Sequence, residues 1–178
     1  KVTGIIDEEE IGTESRKSRR KSTAKSAVDN VMTVLRRYLG VNPKDYDIHL
    51  NFPGGIPIDG PSAGIAALMA LYSAITGYLV DNEIAMTGEI SIRGEIKAVG
   101  GINAKLQAAI GAGAKRVIIP GDNWNDQFKD YPIEVIPLTK VEDLMSYAIC
   151  EVPENEEPKS GLQDTSLLSA SPRGHFTT

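Results

Sequence analysis

A mixed α+β domain over residues 1–150, made of short mixed sheets and packed helices, is the fold class this sequence predicts. Three observations predict it. Segments with apolar residues at helical spacing alternate with short apolar or alternating runs of strand length. Glycine and proline separate those segments. From Glu151 the character of the chain changes: EVPENEEPKSGLQDTSLLSASPRGHFTT is rich in Pro, Glu, Ser and Thr, has no periodicity, and reads as a flexible tail over 151–178.

In order, residues 1–6 (KVTGII) have the composition of a short strand. An acidic run over 7–10 and a basic run over 16–21 (RKSRRK), joined through Gly12, suggest an exposed loop or hairpin. Residues 22–39 carry Ala24, Ala27, Val28, Val31, Leu35 and Leu39 on one helical stripe, and Gly40 ends it. Residues 45–52 alternate, with Ile48, Leu50 and Phe52 on one face and Asp47, His49 and Asn51 on the other, as in a half-buried strand. The uncharged run 63–77 reads as a helix packed on most sides. Residues 83–99 read as two or three short strands with turns at Gly88 and Gly94. A helix over about 102–112 follows Gly100-Gly101, then a buried strand at 116–120, a short helix near 122–129, a strand at 133–137 and a last helix at 141–149.

Composition narrows the classes of function. At 178 residues, 41% hydrophobic and 24% charged, the chain is long enough for one domain with a real core. A net charge of −5 argues against a polyanion-binding surface, and the basic run has no interleaved aromatics, so no nucleic-acid site is evident. One cysteine, Cys150, rules out an intrachain disulfide, and two histidines, His49 and His175, leave too few ligands for a Cys/His zinc site; no metal site is expected. The longest apolar run, about 65–80, contains Ser73, Thr76 and Gly77 and is shorter than the ~20 residues of a membrane helix. No signal peptide is visible, and a cytoplasmic setting is expected. The chain opens on Lys1 without Met and reads as a fragment of something larger.

The chemistry concentrates at residues 51–77. A loop stiffened by Pro53, Pro57 and Pro61 and loosened by Gly54, Gly55 and Gly60 runs into an apolar helix, with Ser62 at the seam. A hydroxyl there lies beside unpaired helix-start N–H groups, as a nucleophile needs, although serine is also a common helix cap. Two groups could take its proton. His49 lies on the strand feeding the loop, where a structural histidine is the commoner outcome. Lys105 has Gly101, Ile102, Ala108 and Ala109 as its helical neighbours and no carboxylate among them. Close packing of such small residues would leave its amine poorly hydrated and partly neutral.

These residues resemble a known family. Pro57-Ile58-Asp59-Gly60-Pro61-Ser62-Ala63-Gly64 resembles the P-K-D-G-P-S-A-G nucleophile motif of Lon proteases. Thr87-Gly88-Glu89 with Arg93-Gly94 resembles that family's T-G-E…R-G strands, and Gly100-Gly101-Ile102-Asn103-Ala104-Lys105 its G-G-x-x-x-K segment. The order of the motifs and the Ser62-to-Lys105 spacing agree with the family, and the likeness extends over about 2–149. Ile58 departs from the usual lysine, and Asn51 stands where some members have a second histidine.

The resemblance implies a Lon-type proteolytic domain: a serine endopeptidase with Ser62 as nucleophile and Lys105 as general base. Thr87 would aim the lysine amine, and the backbone N–H groups of Ser62 and Asp59 would bind the oxyanion. A charged Asp59 beside Lys105 would raise the lysine pKa, so it is not expected as a triad acid. The likeness also implies unfolded polypeptide substrates, a homohexameric ring, and an AAA+ ATPase module elsewhere in a parent chain. No G-x-x-x-x-G-K-[ST] phosphate loop occurs here. No cofactor is therefore expected in this chain, with ATP and Mg confined to that outside module. The alternative is a non-catalytic Lon-like domain acting as a ring-forming scaffold, against which retention of both Ser62 and Lys105 argues.

Overall fold

Residues 117–120, VIIP, are apolar at successive positions, and a strand of that composition must be covered on both faces. The computed structural model, which describes residues 2–4, 10–11, 18–19, 23–52 and 60–150, shows this arrangement. The elements are β1 (Val2–Gly4), β2 (Glu10–Ile11), β3 (Ser18–Arg19), α1 (Thr23–Tyr38), β4 (Leu50–Phe52) and α2 (Gly64–Thr76). They continue as β5 (Ile84–Met86), β6 (Glu89–Ile90), β7 (Ile96–Lys97), α3 (Ile102–Gly111), β8 (Arg116–Pro120), β9 (Glu134–Leu138) and α4 (Val141–Ala148). The architecture is α+β, as the sequence predicts.

The middle of the molecule is a parallel sheet of order β5-β8-β9, with Ala85 beside Val117 and Val117 beside Val135. Side chains alternate across it. Ile84, Ile118, Ile136 and Leu138 face a large apolar cluster with Val31, Val34 and Leu35 of α1, Ile65, Leu68 and Met69 of α2, and Leu144 of α4. Val117 and Ile119 face a smaller cluster with Leu106 and Ala109 of α3 and Phe128. The other pairings are small: β1 with β4 in parallel, and β2 with β3 and β6 with β7 antiparallel.

Three sequence expectations differ in detail. The strand expected over 45–52 is only Leu50–Phe52, because its partner β1 is three residues long and Pro43–Asp45 forms a 3-10 turn capped by Asn42. Ile48 still packs against the large cluster, which accounts for the alternation. The single helix expected near 122–129 is two 3-10 turns, Gly121–Asn123 and Asp126–Asp130, separated where Asn125 is extended. The opposed charge runs are joined by the β2–β3 pairing, and most of both runs lies outside the described residues. The tail expected over 151–178 also lies outside them.

Candidate active site

Ser62 sits in a 3-10 turn, Pro61–Ala63, that leads directly into α2. Gly60 starts the turn at φ 129°, a conformation that a side chain would strain, so glycine is required there. Ser62 caps nothing: Gly60 and Ala63 hold the two cap positions, and neither helix start has a side-chain cap bond. The commoner role of a serine at a helix start is thus set aside, and the hydroxyl is not committed to holding the helix.

The backbone of Ser62 is fixed from behind. Its carbonyl accepts from the Gly88 N–H at 2.9 Å and from the Thr87 hydroxyl at 3.2 Å, while the Ile65 N–H donates to Gly88 O at 3.2 Å. These bonds join the start of α2 to the segment between β5 and β6. The approach is close enough that a Cβ on Gly64 would stand 3.1 Å from both Gly88 O and Ile90 N, and one on Gly88 would stand 2.9 Å from Ile96 Cγ2. The two motifs therefore meet backbone against backbone, which explains the glycine in each.

Lys105 comes from the other side of the sheet. It lies one turn into α3, and its N–H donates to Gly101 O at 3.1 Å. Leu106 and Ala109 anchor that helix in the smaller cluster. Lys105 is half-buried, has no ion-pair partner among the described residues, and burial pushes its amine below the ordinary lysine value.

Ser62, Thr87 and Lys105 line one open cavity of about 370 Å³, with Ala63 and Ala66 of α2 and Ala108 of α3 among its walls. Thr87 is 8% exposed, and its hydroxyl donates to Ser62 O. That bond holds the backbone of Ser62 and leaves the hydroxyl oxygen able to accept from the lysine amine, the role that the family resemblance implies for Thr87. His49, the other candidate base, is exposed and does not line this cavity. Asp59, expected to supply an oxyanion N–H, lies outside the described residues. Among the described residues no group of three or more His, Cys, Asp or Glu could hold a metal ion, and no helix is long and apolar enough to cross a membrane.

One positioning residue has no signal in the sequence. Asn123 accepts from the Val99 N–H at 2.8 Å and donates to Val99 O at 3.1 Å. A single amide thus holds the segment that follows β7, just before Gly100-Gly101, and sets the approach to α3.

A serine free of capping duty and a half-buried lysine line one cavity on an α+β frame, the pairing of side chains that a hydrolase-type site would use. Comparison with known proteins gives the family: residues 14–152 match the Lon protease (S16) C-terminal proteolytic domain, and the chain belongs to that family. It is 49% identical over 158 residues to Lon protease 2 of Bacillus subtilis (strain 168), covering 88% of this chain and 28% of that protein. It is 40% identical over 131 residues to an archaeal Lon protease of Archaeoglobus fulgidus, covering 71% of this chain and 21% of that protein. With a Lon protease of Rhizobium meliloti (strain 1021) it shares 37% identity over 140 residues, 73% of this chain and 17% of that protein. The chain therefore spans less than a third of the length of these relatives.

Proposed function

We propose that this chain is a serine endopeptidase domain in which Ser62 attacks the peptide carbonyl and Lys105 is the general base. The observation that carries the reading is the shared cavity: a lysine depressed by burial and without a carboxylate partner among the described residues lines the same walls as a serine that caps neither helix start. Neutral Lys105 takes the proton of Ser62 Oγ as the new C–O bond forms. The tetrahedral oxyanion is held by two backbone N–H groups, those of Ser62 and Asp59. Lys105 then passes the proton to the leaving amine as the C–N bond breaks, and water hydrolyses the acyl-enzyme with Lys105 again as base.

The walls next to Ser62 are mainly alanine and methionine, which favours an apolar side chain beside the scissile bond. We extend the proposal to the family's larger setting: unfolded polypeptide substrates in protein quality control, a homohexameric ring, and a cytoplasmic parent chain whose AAA+ ATPase module makes proteolysis ATP-dependent. No cofactor is assigned to this chain; ATP and Mg belong to that module.

The test is labelling with a peptide boronate or chloromethyl ketone, together with hydrolysis of a fluorogenic peptide. Ser62→Ala and Lys105→Ala are each expected to lower kcat by roughly 10³-fold or more, and the double variant to be no worse than either alone, because the two act as a unit. Labelling that persists in Ser62→Ala sinks the nucleophile assignment, and cleavage that survives in Lys105→Ala sinks the base.

A further inference from the structure

Ser62 is held through its carbonyl by the Thr87-Gly88 segment, so its position is only as firm as that segment. The upstream end is fixed in the central sheet, where the Thr87 N–H donates to Ile118 O at 3.0 Å. Downstream the chain enters β6, whose only strand partner among the described residues is β7. What holds that end depends on where the backbone groups of β6 point.

Facing residues of an antiparallel pair alternate between those that exchange hydrogen bonds and those that do not. The Ser91 N–H donates to Glu95 O at 3.0 Å, so 91 and 95 belong to the exchanging kind. Ile90 and Ile96, one step back, belong to the other, and the Ile96 N–H donates instead to Thr139 O at 2.8 Å. The Ile90 carbonyl therefore turns away from β7. Ile90 has no exposed surface, and a buried carbonyl off its ladder needs a donor. Asn30 of α1 supplies it, with Nδ2 at 3.0 Å from Ile90 O. On the helix Asn30 stands between Ala27, one turn before, and Val34, one turn after, and both are buried. Packing alone would favour an apolar residue there, and asparagine is a poor helix former, so the amide answers to the carbonyl rather than to the helix.

We propose that Asn30 is a positioning residue for Ser62: it ties β6 to α1, and through Gly88 that tie fixes where the serine stands in the cavity. The effect on turnover rests on the peptidase reading above; the effect on the backbone does not. The other contacts between α1 and the nucleophile turn have no comparable direction. Ala24, Ala27 and Val28 face Gly60, Ala63 and Gly64 across an apolar void of about 10 Å³. Small apolar surfaces can shift against one another, whereas a hydrogen bond sets a distance and an angle. Ile90 also borders the start of α2 closely, since a Cβ on Gly64 would stand 3.1 Å from Ile90 N. A displaced β6 therefore moves the turn that carries Ser62. Asn30 itself does not line the cavity, so it acts on geometry and takes no part in proton transfer.

The test compares two variants of the full chain. Asn30→Leu keeps the branched shape and removes the donor, and Asn30→Asp sets a carboxylate oxygen against the Ile90 carbonyl. Each is expected to lower kcat for a short fluorogenic peptide about tenfold while KM stays within about twofold, with the larger loss in Asn30→Asp. The pH midpoint of activity should not move, because Lys105 is untouched. Hydrogen exchange gives the second readout: the amides of Gly88 and Ile65 should exchange about tenfold faster relative to those of Ile118 and Ile119. Val31→Ala, a fully buried neighbour on α1, controls for lost stability. It is expected to keep kcat within about twofold and the exchange ratio unchanged. Asn30 variants that keep kcat, or that lose no more of it than Val31→Ala does, overturn the proposal. So does a Gly88 amide that exchanges no faster while the unsubstituted chain cleaves the peptide. If the unsubstituted chain cleaves nothing, the peptidase reading fails, and a selective rise in Gly88 exchange still upholds the tie from Asn30 to the turn.

Discussion

The two faces of the central sheet are built to different depths. On one, α1, α2 and α4 bury a continuous cluster that includes Leu35, Ile65, Leu68 and Leu144, all with no exposed surface. On the other, one ten-residue helix, α3, rests on Val117 and Ile119, and the aromatic residues Trp124, Phe128 and Tyr131 close the flank. The candidate nucleophile, Ser62, rises from the deep side and the candidate base, Lys105, from the shallow one. A serine must be held still, and two bonds to its carbonyl together with close glycine contacts do that. A lysine that has to lose its charge needs a partial loss of water rather than deep burial, and a thin layer of small side chains supplies it.

The largest break in this contrast would come from truncating one fully buried leucine on each side. Leu68→Ala and Leu106→Ala should each cost about 2–5 kcal/mol in denaturant unfolding. Only Leu106→Ala should also move the pH profile of kcat/KM upward, because it loosens the helix that keeps water from Lys105. Equal profiles in the two variants would show that the shallow side does not set the lysine's hydration. Gly88→Ala is next, at about 1–3 kcal/mol, since its Cβ would press on Ile96 and Ile65. Its kcat should fall along with its stability, because the same residue donates to Ser62 O.

A smaller effect concerns pH. With its folded pKa lowered, Lys105 burdens the fold while protonated, and the burden is relieved as pH rises from that lowered value toward the unfolded one. Lys105→Met should therefore be the more stable protein at neutral pH and lose that advantage above the ordinary lysine pKa of about 10.4, as read from unfolding midpoints across pH. Activity of the unsubstituted chain should rise with pH, with a midpoint below that same value. The smallest effect lies at the surface near β5. Asp81 is held below the usual carboxylate range first by the Glu83 N–H and then by the Arg116 guanidinium, which bonds it at 2.6 Å. The support these bonds give is present above the unfolded aspartate pKa and is lost as pH falls through the folded one. Arg116→Ala should shift the midpoint of acid unfolding slightly upward and leave neutral-pH activity alone.

Much of this contrast can be read from residue spacing, but not the contacts that join its halves. Apolar periodicity places α1, α2, α3 and α4 within a few residues, and the run RVIIP gives β8 from Arg116 to Pro120, because it is β-branched, too short for a buried helix and ended by proline and glycine. The short strands over 83–99 are legible as strands but not in their pairing. β5 leaves its sequence neighbours to join β8, while β6 and β7 pair with each other, and such choices depend on distant partners. In the site, Ser62 and Lys105 can be singled out by their unusual neighbours. The Thr87 bond to Ser62 O and the Asn123 bonds to Val99 have no pattern in the chain to announce them, since each depends on two segments meeting in space.

That last pair of bonds carries a consequence for how the protein ages. The Asn123 side chain must both donate and accept, which an amide can do and a carboxylate cannot. Hydrolysis of this one amide to aspartate would set an oxygen against the Val99 carbonyl and release the segment that delivers α3. A change of one mass unit, at a residue that does not line the cavity, would then lower turnover together with the stability of the shallow side.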